Sequence, residues 1–115
     1  MSTKQNHKKW RKQFNEDCLT RDNHKCVFCD ITENLDVHHI TSRDKLPNGG
    51  YVMSNGITVC STHHLLCERC SNYQTGCKLY YSCKDCGNFK YNPPNLYKKI
   101  NSSYEQAYKE SLNLI

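Results

Sequence analysis

The sequence predicts an α+β fold: a small zinc-stabilised core of two strands and a helix, flanked by N-terminal and C-terminal helices. Three observations predict it. Cysteines and histidines recur in pairs at metal-knuckle spacing, two short runs rich in β-branched residues ("LDVHHI" and "GITVC") lie among them, and apolar residues spaced three and four apart run through both ends of the chain.

The chain has 115 residues, which fits a single domain spanning 1–115 with room for one modest core. Hydrophobic residues make up 37% of it and include all nine cysteines, so aliphatic material is scarce and cross-linking by metal or disulfide is expected. The cysteine count is odd, and the opening "MSTKQNHKKWRKQ" does not resemble a secretory leader. Both features point to a reducing, cytoplasmic compartment, where C-x2-C pairs suggest zinc before disulfides. No apolar run approaches the roughly 20 residues of a membrane span, so no membrane partner is expected.

Residues 1–25 predict a basic N-terminal helix. His7, Trp10, Phe14 and Cys18 form one stripe, expected to pack on the core, with Cys18 as a small buried hydrophobe; Lys4, Lys8, Arg11 and Lys12 form a neighbouring stripe. The formal charge is +5, and seven Lys/Arg against three acids place +4 of it in these residues. Such an arm is either a footprint for a polyanion or a solvated helix face.

Residues 26–68 predict the core. Cys26 and Cys29 form a knuckle, "LDVHHI" a first strand, and "TSRDKLPNGGYVMSN" a loop in which "PNGG" signals a turn. "GITVC" is a second strand, and Ser61 or Thr62 caps a helix beginning "STHHLLCERC". In a regular first strand, His38 and His39 point to opposite faces. Such a pair is poorly placed to bind one ion together, which suggests a division of labour.

Residues 67–86 hold five of the nine cysteines without a clear period, and predict a metal-pinned insertion. Cys67, Cys70, Cys83 and Cys86 give two C-x2-C pairs separated by twelve residues, a second zinc site, with Cys77 as a spare thiol that could replace one of them. The lysines and tyrosines of "KLYYSCKDCGNFKY" either contact a nucleic acid or cover a small core. Over 93–115, "PPNLYKKI" starts a short helix. A second helix places Tyr104, Ala107, Tyr108, Leu112 and Ile115 on one face, with Ser102-x-x-Glu105 and Ser103-x-x-Gln106 as alternative capping boxes.

Cys26 and Cys29 with Cys60 and His63, a C-x2-H pair, supply three thiolates and an imidazole, a closed tetrahedral set for a structural zinc. His63 and His64 could exchange roles, and a local grouping of Cys60, His63, Cys67 and Cys70 would leave Cys26 and Cys29 without partners.

His38 and His39, fifteen intervening residues, Asn55, eight more, His64 and then Glu68 resemble the HNH endonuclease family, whose ββα-metal (His-Me finger) motif would span 26–68. "CVFC" and "CSTHH" resemble the zinc knuckles that many members carry, and "LYKKINSSYEQAYKESLNL" resembles the tails of small phage-encoded members. The resemblance implies a metal-dependent DNA endonuclease, a hydrolase leaving 5′-phosphate and 3′-hydroxyl ends. It implies that His38 and His64 bind the catalytic divalent ion, that His39 is the general base, and that Asn55 holds the elements together, although "SNG" alone reads as a turn. Glu68, about 6 Å along the helix from His64, is either a third ligand or a solvated residue. A histidine-rich set favours Mn, Ni, Co or Zn over Mg. Lys8, Lys9, Arg11, Lys12, Arg43 and Lys45 are the candidate backbone contacts. DNA is the implied partner and a bacterial or phage-infected cytoplasm the implied setting, with packaging and host factors unassigned. The alternative reading is a non-catalytic zinc-dependent nucleic-acid-binding module.

Overall fold

The computed structural model describes residues 3–70 and 90–114. They form an α+β arrangement with four helices and a two-stranded antiparallel sheet. In order these are α1 (Thr3–Arg21), β1 (Leu35–His39), β2 (Gly56–Cys60), α2 (Ser61–Arg69), α3 (Pro93–Lys99) and α4 (Tyr104–Leu112), with one-turn 3-10 segments between the strands. No helix among the described residues is long and apolar enough to cross a membrane.

The strands pair from Leu35 opposite Cys60 to His39 opposite Gly56. The Asn55-Gly56 pair is therefore not a hairpin turn: Gly56 is extended at φ −123°, and the Asn55 carbonyl accepts the Ile40 N–H at 2.9 Å. Between the strands the left-handed residues lie earlier, at Asn48 (φ 56°), Gly49 (φ 82°) and Gly50 (φ 65°), where "PNGG" predicts a turn. Gly56 is needed because α1 comes so close. A Cβ there would lie 2.5 Å from Cys18 Sγ and 2.6 Å from the Phe14 ring.

Helix α1 lays Phe14 and Cys18 on this surface, at 2% and 0% exposure. Burial raises the Cys18 thiol to about 12, as suits a packing residue and not a ligand. Arg21 closes the helix onto the sheet. It grips Asp22 through two bonds of 2.7–2.8 Å and donates to the carbonyls of Met53 and Gly56, each at 2.7 Å. Asp22 in turn accepts the Thr58 N–H at 3.1 Å.

On the other side of the sheet, Ile40, Ile57, Val59, Leu96, Tyr97 and Ala107 share a core with Cys26, Cys60, Cys67 and Cys70. The thiols make up part of the aliphatic shortfall. Helix α3 starts where the Asn92 side chain accepts the Asn95 N–H at 3.0 Å, ahead of two prolines in its first turn. Helix α4 is capped by Ser103, which accepts the Gln106 N–H at 3.1 Å; the Gln106 side chain bonds Glu110 and does not return to close a capping box.

The packed face of α4 differs from the apolar face in the sequence. Ala107 and Ser111 are buried, whereas Tyr104, Tyr108 and Leu112 are 44%, 42% and 57% exposed. Polar contacts hold this rotation: Asn48 donates to the Ser111 carbonyl and Ser54 to the Glu110 carboxylate, both at 2.9 Å. A helix held against a loop by such bonds presents its small residues to it.

Candidate metal centre and cleft

The knuckle after α1, the end of β2 and the first turn of α2 bring together Cys26, Cys29, Cys60 and His63. Among the described residues this is the group whose metal-ligating atoms all lie within 4.8 Å of one another. Cys29 Sγ is 3.7 Å from Cys60 Sγ, and His63 Nδ1 is 3.6 Å from Cys26 Sγ and 3.2 Å from Cys60 Sγ. Zinc bonds of about 2.3 Å to sulfur and 2.0–2.1 Å to nitrogen give tetrahedral edges of about 3.8 and 3.6 Å. The four residues thus fit a zinc ion that ties the knuckle to β2 and α2. The His63 backbone N–H, helped by its ring, lowers the Cys60 thiol to about 6, which favours the thiolate a metal requires.

Cys67 and Cys70, from the expected second site, are 0% and 2% exposed in the core. Burial pushes the Cys67 thiol up to about 12. Cys77, Cys83 and Cys86 lie outside the described residues, as does the rest of the predicted 67–86 insertion beyond Cys70.

Beside the sheet lies an open cleft of about 1070 Å³, lined by His38, His39, His64, Glu68, Arg11 and Arg43 among others. The alternation of β1 divides the two histidines. His38 meets the ring of His64 edge to face at 5.3 Å. His39 stacks on Phe14 at 4.5 Å and packs edge-on against Tyr51 at 5.1 Å. Nε2 of each is buried without a hydrogen-bond partner. Burial, then His64 and His39, lowers His38 to about 3; burial, then Arg43 and Arg11, lowers His39 to about 4. Both rings are therefore neutral at pH 7, the form in which an imidazole ligates a cation or accepts a proton.

His64 lies between two carboxylates, with Nδ1 3.3 Å from Asp36 and Nε2 3.3 Å from Glu68. Asp36, like Tyr51 on the other side of the cleft, is not among the residues singled out in the sequence. It stands two positions before His38 on the same face of β1, so the period of the strand could have revealed it. The His38, His64 and Glu68 side chains share the cleft, but their ligating atoms do not converge as those of the cysteine site do.

Asn55 is fully buried and its side chain makes four hydrogen bonds. Its Oδ1 accepts from the Thr41 N–H at 2.9 Å and the Tyr97 hydroxyl at 2.7 Å, and its Nδ2 donates to the carbonyls of Thr41 at 3.1 Å and Gly50 at 3.2 Å. It pins the chain two residues beyond His39 to the loop and to α3. Of the six basic residues singled out in the sequence, Arg11 and Arg43 line the cleft, while Lys8, Lys9, Lys12 and Lys45 are exposed outside its lining.

No protein-family model matches the chain, and no curated protein and no solved structure is similar enough to count as a match.

Proposed function

We propose that the protein is a metal-dependent DNA endonuclease of the HNH type, built on a ββα-metal core with a structural zinc at Cys26, Cys29, Cys60 and His63. The observation that carries this reading is the separation of His38 and His39. One faces His64 and the other faces α1, both open onto one cleft, and each has an unpartnered Nε2.

In this reading His38 and His64 hold the catalytic divalent ion, with Glu68 or Asp36 supplying an oxygen ligand. When bound, such an ion neutralises charge on the phosphate and on the leaving oxygen. His39 takes a proton from water as the new P–O bond forms and the P–O3′ bond breaks, leaving a 5′-phosphate and a 3′-hydroxyl protonated from solvent. Burial and two guanidiniums keep this imidazole unprotonated at pH 7 and also weaken it as a base; a phosphate beside those guanidiniums would offset their charge and raise its basicity. Asn55 fixes the backbone that follows it. Nicking of supercoiled plasmid tests the reading: the zinc-loaded protein with manganese should relax it, and His39→Ala should not.

The second reading, a non-catalytic zinc-binding module that holds nucleic acid, is favoured by the contrast between the sites. The Cys/His ligands converge, whereas both nitrogens of His64 face carboxylates. Absence of nicking with every divalent ion, alongside retained salt-dependent DNA binding, would select it.

A further inference from the structure

Two guanidiniums in the cleft converge on a single oxygen. Arg43 Nη1 donates to the Tyr51 hydroxyl at 3.1 Å and Arg11 Nη2 donates to it at 3.4 Å. Tyr51 is 3% exposed, and its ring is fixed by edge contacts with His39 at 5.1 Å, His7 at 5.6 Å and Phe14 at 6.0 Å. The hydroxyl is therefore a rigid point in the cleft floor, while both arginines are exposed at the rim. Arg21, whose charge Asp22 neutralises at 2.7 Å, shows how this chain treats a structural arginine. Neither Arg11 nor Arg43 has such a carboxylate partner among the described residues; Asp44 also lines the cleft but bonds neither of them.

Two like charges drawn to one neutral phenol repel each other, and an anion placed between them relieves the repulsion. The donor chemistry fits an oxyanion. Each guanidinium presents a planar fork suited to phosphate oxygens, and the phenol, which accepts two N–H groups, still has its own proton to give. The far side of the cleft carries the carboxylates of Asp36 and Glu68 around His64 and repels an anion until a cation is bound.

We infer that Arg11, Arg43 and the Tyr51 hydroxyl form a clamp for one backbone phosphate of a nucleic-acid strand, on the His39 side of the cleft. The identity of the strand rests on the nuclease reading; the clamp itself rests on the three convergent donors. The clamp holds the polyanion without a divalent ion, and it supplies the grip that the carboxylate side cannot.

The test is fluorescence anisotropy of a labelled DNA duplex with the zinc-loaded protein and no added divalent ion. Arg11→Gln/Arg43→Gln should weaken binding at least about tenfold, and lower the slope of log affinity against log salt by about 1, as expected for one phosphate contact. Lys98→Gln/Lys99→Gln, which removes equal charge from α3, should change affinity less than about threefold. Tyr51→Phe, which keeps the ring, should also weaken binding. The single Arg43→Gln chain, which leaves α1 untouched, gives the same reading should the double variant be unstable. Equal losses in the two double variants, a slope change near 2, an unaltered Tyr51→Phe chain, or displacement of the duplex by sub-millimolar inorganic phosphate would each overturn the clamp. Plasmid nicking is scored separately. Chains that bind through the clamp but never nick overturn the nuclease reading alone, and a double variant that binds and nicks normally overturns the clamp alone.

Discussion

His38 and His64 meet edge to face with ring centroids 5.3 Å apart, joining β1 to α2 across the cleft, while the very next residue, His39, turns away to stack on Phe14 of α1. The period of a strand produces this separation, and it gives neighbouring side chains different surroundings. His38 is beside an imidazole flanked by carboxylates, and His39 is beside an aromatic wall topped by two arginines.

Removing any of the four residues that fit a zinc ion should unfold the core. Cys26, Cys29, Cys60 and His63 tie together segments with little aliphatic material between them. Metal binding in such small domains contributes directly to folding free energy. Cys60→Ser, or prolonged chelation of the purified protein, should abolish a cooperative thermal transition seen by circular dichroism. Metal analysis of the untreated protein should find zinc retained.

Asn55→Ala should destabilise the fold by about 3 kcal/mol, because it strands several buried backbone and hydroxyl groups at once. The Tyr97–Thr41 hydroxyl bond at 2.6 Å survives and limits the loss. Urea unfolding should show a lower midpoint at unchanged slope. An unchanged midpoint would mean that these groups find other partners.

Acid should destabilise the protein through its two buried imidazoles. His38 and His39 titrate near 3 and 4 when folded, against 6.5 for a free imidazole. Between pH 6.5 and 4 both imidazoles bind more protons in the unfolded chain than in the folded one, so their contribution to stability falls as pH falls through that window and is constant above it. Each imidazole contributes a slope of up to about 1.4 kcal/mol per pH unit. Thermal unfolding of the zinc-loaded protein, without other divalent ions, should show this steepening. A His38→Gln/His39→Gln chain should retain only the part due to zinc release.

Manganese should support faster nicking than magnesium. Two imidazoles facing each other are softer and less demanding than the oxygen octahedron magnesium prefers. Equal or faster rates with magnesium would point to the carboxylates of Asp36 and Glu68 as the dominant ligands.

The parts of the site that could be read in the sequence are those with short-range signatures. The C-x2-C and C-x2-H pairs specify their own geometry, the β-branched residues around His38 and His39 predict the strand that splits them, and the stripe through Phe14 and Cys18 predicts the packed side of α1. What escaped depends on contacts between distant segments. The rotation of α4 is set by bonds from Asn48 and Ser54, more than fifty residues earlier. The meeting of Arg11 with Tyr51 joins residues forty apart, and no local period announces it. Asp36 is a different case: the strand period places it on the His38 face, but an exposed strand carboxylate looks ordinary until His64 arrives from α2.

The measurement that bears most directly on the division between the two imidazoles is manganese stoichiometry, taken by equilibrium dialysis of zinc-loaded chains. Wild type and His39→Ala should each bind one manganese ion in the cleft, and His38→Ala should bind none. Loss of the ion in His39→Ala, or its retention in His38→Ala, would contradict the account.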